Sequence, residues 1–468
     1  MAPLGPRLGA PRGQARRRCR LRGVGGVVLA SAPHPAPREP RRRGAGAVIS
    51  ATRRGLRAIR SLRERRRTEL CALLATDSAQ AALALHGTPL LLLDPERVRA
   101  QYRRLSAALP SVRFHYAVTA LPHSAVVDVL AEEGCGFDVA SGDELALVRR
   151  HGVAAGRLIH THPVRKPAEI ADALAAGVRT FVVDSETELE KFRDAAPDVR
   201  VLVRLSFRSP QGGSDASAKF GVGPFAAGRL VARARELGVR VAGFSFHTGR
   251  LDDPERLADA VADALTLMRH LEDELGIRFE ILDIGGGFPV AYDTDVCSIE
   301  EFGAVIEPLL APHARRLRII AEPGRILAAE AMALVTSVVG IAERADGRWY
   351  HLDDGVHGAY SSVTADDVRP LVYALRELGQ TAADSESRRW ATLAGPTCDS
   401  ADVVAREVLL PELAVGDLLA SPAMGAYTIA AGSSFNGRAV TPVAVVVQGP
   451  STGPVATRER MPEAVAVA

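Results

Sequence analysis

The sequence predicts an α/β protein, a (β/α)8 TIM barrel over residues 96–328 followed by a mainly β domain over residues 329–468. Eight short β-branched runs lead to this reading: "VRFHYAV" (112–118), "GFDVA" (136–140), "RLIHTH" (157–162), "RTFVVD" (179–184), "VRVLVRLS" (199–206), "VRVAGFSFH" (239–247), "FEILDIG" (279–285) and "LRIIAE" (317–322). Between them lie longer segments such as "SAVVDVLAEEG" and "PERLADAVADALTLMRHLEDELG", whose apolar residues recur at the three- and four-residue spacing of an amphipathic helix. Eight such alternations suit a closed barrel better than an open doubly wound sheet. After Arg325 the texture changes. "AMALVTSVVGIAE", "RWYHLD", "RRWATLAGP", "DVVAREVLL" and "VTPVAVVVQ" read as strands with few long helices between them.

The remaining residues set limits on class. The chain has 468 residues, 47% hydrophobic and 24% charged, enough for a sizeable core and two domains. No apolar run approaches the roughly 20 residues that cross a bilayer. The net charge of +3 conceals an asymmetry, because residues 1–67 are crowded with Arg and hold Glu39 and Glu64 as their acids. Pro, Gly, Ala and Arg without sustained periodicity make this stretch a disordered tail, and residues 68–95 a lead-in that packs with the β domain. Gly23–Ala32 behind an Arg cluster mimics a signal peptide only weakly, and no aromatic residues interleave the arginines as nucleic-acid binding would favour. Cys19, Cys71, Cys135, Cys297 and Cys398 are odd in number and scattered, which points to a reducing, cytoplasmic compartment rather than a disulfide framework.

In a barrel of this kind chemistry sits at the C-terminal ends of the strands. Those ends carry Thr119, Asp138 with Ser141, His160 with His162, Asp184, Arg204, His247, Gly285–Gly287 and Glu322 followed by "PGR". Each has a structural explanation: Asp184 as a cap for the next helix, His160 and His162 as satisfied loop histidines. The triple glycine before Pro289 is more informative. Glycines let backbone N–H groups approach an anion, and barrel phosphate sites recur after the seventh and eighth strands. Arg325 offers a bidentate cation for the same phosphate, so a phosphorylated ligand is expected. No metal site is expected.

These residues also carry a resemblance. "YAVTAL", "GFDVASGDEL", "KFG", "FSFHTG", "LDIGGGFP", "AEPGR", "GPTCDSADV" and "MGAYTIAAGSSFNG", in this order, resemble the fold type III pyridoxal-phosphate decarboxylases that act on ornithine, diaminopimelate and arginine. Cys398 followed by Asp399, and "GAYT" followed by "FNG", are most similar to the ornithine branch. The resemblance implies an alanine racemase-like barrel, pyridoxal 5′-phosphate as cofactor, a small basic amino acid as substrate, a role in diamine and polyamine biosynthesis, and a homodimer with shared sites. It implies that Glu322 faces the pyridine nitrogen and keeps it protonated, and that His247 stacks on the ring. Gly286, Gly287, Arg325 and Tyr427 would hold the phosphate, with Asp138, Glu144 and Arg204 as a polar shell around the cofactor. Cys398 would reach the partner subunit's site as proton donor, and Asp399 would bind the substrate's distal amine there.

The chain departs from the family at several of these positions. The family's Schiff-base lysine lies within "YAVKAN", and Thr119 stands in its place. A hydroxyl cannot make that link, and a lost general acid/base alone is typically worth roughly 10²–10⁴-fold. "HVGS" reads "HTGR", so Arg250 replaces a serine that donates to the phosphate. Val363 and Thr364 stand where a substrate-contacting Tyr-Asp pair is expected, with Asp366 or Asp367 able to serve after a small shift. The lysines are Lys166, Lys191 and Lys219; Lys191 reads as a solvated surface charge, and Lys219 in "AKFG" is the substitute candidate. Three readings stay open: a decarboxylase of ornithine- or lysine-like substrates, working through Lys219 or a non-covalently held cofactor; a pseudoenzyme that binds the cofactor or regulates a family decarboxylase; and a different pyridoxal-phosphate reaction in specialised metabolism.

Overall fold

A computed structural model describes residues 45–207, 219–250, 253–378 and 387–447. Contacts divide the chain into Met1–Ala51 and Thr52–Ala468. Of the first unit only the opening of helix Ala45–Leu74 is described. The second holds everything that follows.

Strand β1 (Leu90–Leu93) precedes a ring of eight parallel strands: β2 (Val112–Ala117), β3 (Gly136–Asp138), β4 (Leu158–Ile159), β5 (Thr180–Val183), β6 (Arg200–Leu205), β7 (Val241–Phe246), β8 (Ile281–Asp283) and β9 (Arg318–Ala321). Their order is β4-β3-β2-β9-β8-β7-β6-β5, and the His160–Phe181 bridge joins the two ends into a nearly closed barrel. All eight expected runs are strands of this barrel, each trimmed at its ends by the loops that carry polar residues. Ile159, Val182, Leu202, Ala242, Ile281 and Ile320, one from each of β4 to β9, pack as a cluster of their own inside it. Helix Pro254–Leu275 shows why the alternation is stable. Asp253 accepts from the Glu255 N–H, Pro254 opens the first turn, Gly276 closes the helix in the left-handed conformation, and Leu257, Val261, Ala264, Met268 and Leu271 form the buried stripe.

The second sheet is built from β10 (Met332–Arg344), β11 (Gly347–Leu352), β12 (Tyr373–Ala374), β13 (Arg388–Ala394), β14 (Val403–Pro411), β15 (Leu418–Ser421) and β16 (Val443–Val445), in the order β12-β15-β10-β11-β13-β14. β1 joins it, antiparallel to β10 and parallel to β16. Leu70, Leu73, Leu90 and Leu92 pack there against Ala333, Val335, Ala420 and Ala444.

Residues 52–67 differ from the unpacked tail that their composition suggested. They are helical, with Leu62 and Arg66 each 1% exposed. Leu62, Arg66, Leu70 and Leu73 fall on one helical stripe, and the Arg66 guanidinium donates to Glu330, Glu69 and the Ala291 carbonyl. Composition suggested disorder because an arginine was counted as solvated; here its aliphatic stem is core and its head is paired. Residues 1–44, which hold most of the tail, lie outside the described residues.

Candidate active site

Thr119 sits in a single 3-10 turn, Val118–Ala120, at the C-terminal end of β2. The turn is held on both sides: Ala117 N–H donates to the Pro323 carbonyl at 3.2 Å and Tyr427 N–H to the Ala120 carbonyl at 2.9 Å. The Thr119 side chain is exposed, and its hydroxyl donates to the Glu144 carboxylate. Glu144 occupies the first turn of helix Gly142–Arg150, whose cap Ser141 accepts the Glu144 N–H at 3.3 Å. The carboxylate turns back to accept the Ala140 N–H at 2.6 Å, so it serves the helix terminus as well. Burial raises its pKa, while the Ala140 and Thr119 donors pull it back down.

Three more carboxyl groups converge from β3, β8 and β9. Asp138 accepts from the Thr161 N–H at 3.1 Å and the Thr161 hydroxyl at 2.8 Å. Burial, with Glu322 beside it, holds Asp138 well above the usual carboxylate range. Asp283 and Glu322 share a hydrogen bond; burial pushes Asp283 up to about 6 and, with the Asp283 charge, carries Glu322 well above its ordinary value. Each of the pair keeps one buried oxygen, Asp283 Oδ2 and Glu322 Oε1, without a hydrogen-bond partner among the described residues. An unpaired buried carboxyl oxygen is costly, and a ring N–H is the kind of donor that would relieve it.

The glycine turn lies against these groups. A Cβ on Gly286 would come within 2.5 Å of the Glu322 carbonyl oxygen and 3.3 Å of His247 Nε2, and one on Gly287, at φ +89°, would overlap the Gly249 carbonyl. Only glycine fits here, which leaves the backbone N–H groups open to an anion. His247 accepts the Gly249 N–H through Nδ1 at 3.0 Å, and burial, aided by Arg204 and Arg256, lowers it to about 4, so the imidazole is neutral. Arg325 stacks over the Tyr427 ring at 4.7 Å, donates to Tyr292 Oη at 3.1 Å and pairs with Asp366 at 2.6 Å. Tyr427 itself has φ +55°.

The residues expected from the sequence thus form two groups. Thr119, Asp138, Glu144, Arg204, His247, Gly286, Gly287, Glu322, Arg325 and Tyr427 line the barrel mouth. Cys398 and Asp399 belong to another cluster: Cys398 is exposed, with its N–H on Asn436 Oδ1 at 3.0 Å, and Asp399 pairs with His357 Nε2 at 2.9 Å while His357 packs on Phe435. No hydrogen bond or ion pair among the described residues joins Cys398 or Asp399 to the barrel mouth. Arg250 is half-buried beside two residues outside the described set, and Thr364 is exposed with its hydroxyl on the Ser361 carbonyl.

Lys219 is exposed, with Nζ 4.7 Å from the centre of the Phe220 ring, which Arg204 meets at 5.3 Å. Lys191 is exposed, as expected of a surface charge, and donates to Glu188 and to the Arg165 carbonyl, each at 2.5 Å. Asp184 is not the helix cap, a role filled by Ser185, and instead accepts the Gly221 N–H at 2.9 Å. His160 is buried with Nδ1 unpartnered among the described residues, its ring stacked on Phe181, rather than satisfied in a loop. Sequence reasoning missed Asp283 and Tyr292. Asp283 was hidden in "LDIGGG" because an acid inside a strand gives no signal of which face it takes.

Pyridoxal 5′-phosphate fits these residues. Glu322 Oε1 offers an unpaired acceptor among the described residues, the glycine turn an anion cradle, and Arg325 a cation.

Comparison with known proteins agrees with the geometry. Residues 95–329 match the family described as pyridoxal-dependent decarboxylase, pyridoxal binding domain. The chain is 36% identical over 359 residues to antizyme inhibitor 2 of Xenopus laevis, covering 73% of this chain and 77% of that protein. It is 36% identical over 355 residues to ornithine decarboxylase of Mus musculus, covering 72% and 76%. Among solved structures, lysine/ornithine decarboxylase of Vibrio vulnificus complexed with putrescine superposes with a TM-score of 0.72 at 41% identity, over 78% of this chain and 96% of that one. With the barrel, the glycine cradle and these matches in agreement, the chain belongs to the pyridoxal-dependent decarboxylase family.

Proposed function

We propose that the chain is a decarboxylase-type protein that holds pyridoxal 5′-phosphate non-covalently and takes a small basic amino acid of the ornithine or lysine kind, with turnover far below that of a lysine-bearing relative. The observation that carries this reading is that the glycine turn at Gly286 and Gly287, Arg325 and the buried Glu322 are all present while position 119 is a threonine, whose hydroxyl can make no covalent link to the cofactor. When bound, the cofactor supplies an electron sink for bonds at the substrate's α-carbon. Glu322 would hold the ring nitrogen's proton, His247 would cover the ring face, and Arg325 with Gly286 and Gly287 would bind the phosphate. Cys398 and Asp399 stand apart from the mouth in this chain, which supports a homodimer in which each copy lends them to the other's site. Lys219 is the remaining route to a covalent link.

Similarity to antizyme inhibitor 2 favours a second reading, in which the chain binds and regulates a family decarboxylase. One experiment separates these. Borohydride reduction of the purified protein with pyridoxal 5′-phosphate, peptide mass spectrometry and a carbon dioxide release assay with ornithine and lysine should give bound cofactor, no specific lysine adduct and slow turnover. An adduct on Lys219 that disappears in Lys219→Ala would replace non-covalent binding with a migrated anchor. Bound cofactor with no turnover, together with a stable complex with a family decarboxylase, would establish the regulatory reading.

A further inference from the structure

We infer that the barrel mouth selects the amine-bearing form of the cofactor, pyridoxamine 5′-phosphate, over forms with an aldehyde or a hydroxyl at the same carbon, and that Thr119 and Glu144 make this choice. The inference rests on the non-covalent site described above and names the ligand it prefers.

A lysine at position 119 would carry its own ammonium into the mouth, several bonds beyond the reach of a threonine hydroxyl. Its replacement takes that ammonium away and leaves a short, exposed side chain at the end of β2. What remains there is an acceptor without a cation. The Glu144 carboxylate receives the Thr119 hydroxyl and the Ala140 N–H at 2.6 Å, and both are neutral donors. A carboxylate offers about four lone-pair sites, so capacity for a further, charged donor is left. The wider site has the same bias. Asp138, Glu144, Asp283 and Glu322 converge here, and of the arginines near them Arg325 is already paired with Asp366 at 2.6 Å while Arg256 acts on His247. Arg204 faces the Phe220 ring.

A buried carboxyl without a paired cation either retains its proton or gains one by binding a cation. A ligand ammonium at the carbon where the lysine would attach restores the charge that Thr119 removed, through a hydrogen bond of the charge-assisted kind. An aldehyde there offers Glu144 no donor, and a hydroxyl offers a neutral one.

The test uses the full chain in amine-free buffer and measures affinity for pyridoxamine 5′-phosphate, pyridoxine 5′-phosphate and pyridoxal 5′-phosphate by calorimetry and thermal shift. The first two differ only in amine against hydroxyl. The amine form is expected to bind at least about tenfold tighter. Glu144→Gln, which keeps an acceptor for the Ala140 N–H, should erase most of that preference, weakening pyridoxamine 5′-phosphate several-fold more than pyridoxine 5′-phosphate. Thr119→Lys brings its own ammonium and should reverse the preference toward the aldehyde, which serves as an independent check should Glu144→Gln fold poorly. Equal affinity for all three forms in the unaltered chain would overturn this inference and leave the cofactor-binding reading standing. Binding of none of them would overturn both.

Discussion

Arg325 donates to Asp366 Oδ2 at 2.6 Å, so the cation best placed for a phosphate is already met by a carboxylate. Asp366 lies on the segment that the sequence singled out for its missing Tyr-Asp pair, and the structure gives that segment a partner inside the cradle. A phosphate must compete with this ion pair, which is only partly exposed on either side. Asp366→Asn is therefore expected to tighten binding of a phosphorylated cofactor by about tenfold, roughly 1.4 kcal/mol. Pyridoxal without its phosphate should be unaffected. Weaker binding of the phosphorylated form, measured by calorimetry, would instead show that Asp366 aims Arg325.

Thr119→Lys places at the end of β2 the lysine that the resemblance leads one to expect there. The turn that holds it is pinned by Pro323 and Tyr427 backbone contacts that do not depend on the side chain. A pyridoxyl adduct at position 119 after borohydride reduction is expected, with decarboxylation rising by roughly 10²–10⁴-fold. An adduct without a gain in rate would move suspicion to Arg250 and to the Val363–Thr364 segment.

The barrel was legible because its signal is repeated: eight β-branched runs at regular intervals survive an error in any one of them. β1, β12 and β15 were not legible. Leu90–Leu93 lacks the β-branched residues that mark a strand, Tyr373–Ala374 is two residues long, and Leu418–Ser421 follows a turn with little alternation; all three are specified by the strands they pair with. The site was legible wherever a residue type is chemically forced, as at Gly286, Gly287 and Arg325. It was illegible where function depends on facing: Asp283 and Tyr292 reach their partners only through the curvature of the barrel, and the pairing of Asp366 with Arg325 joins residues far apart in sequence.

Arg66 is the residue whose character the sequence hid most completely. Its side chain is buried, paired with Glu330 and Glu69, and also donates to the Ala291 carbonyl at 3.0 Å. Arg66→Ala leaves the Glu330 carboxylate without its cation and opens a void beside Leu62 and Leu70. A loss of about 3 kcal/mol is expected in denaturant unfolding. Arg66→Met with Glu330→Leu, which removes both charges and keeps the volume, should recover most of it; no recovery would mean that the Ala291 contact dominates.

The Asp283–Glu322 pair sets the sign of a pH effect on the cofactor-free protein. Burial pushes Asp283 up to about 6, above the ordinary value of about 3.9 that it has in the unfolded chain. Between those values the folded state binds the extra proton, so stability falls as pH rises. The contribution is fully present below the unfolded pKa and is lost as pH climbs through about 6. Asp283→Asn cannot titrate and should flatten that part of the curve, so the stability difference between the two proteins changes by something of the order of 2 kcal/mol from pH 4 to pH 7. Saturating cofactor should reduce the slope in the unaltered protein as well, because a ring N–H on Glu322 replaces the shared proton with a charged partner. Parallel curves for the two proteins across this range, measured by chemical denaturation at fixed ionic strength, would mean that Asp283 stays ionised in the folded protein, with Glu322 alone holding the proton.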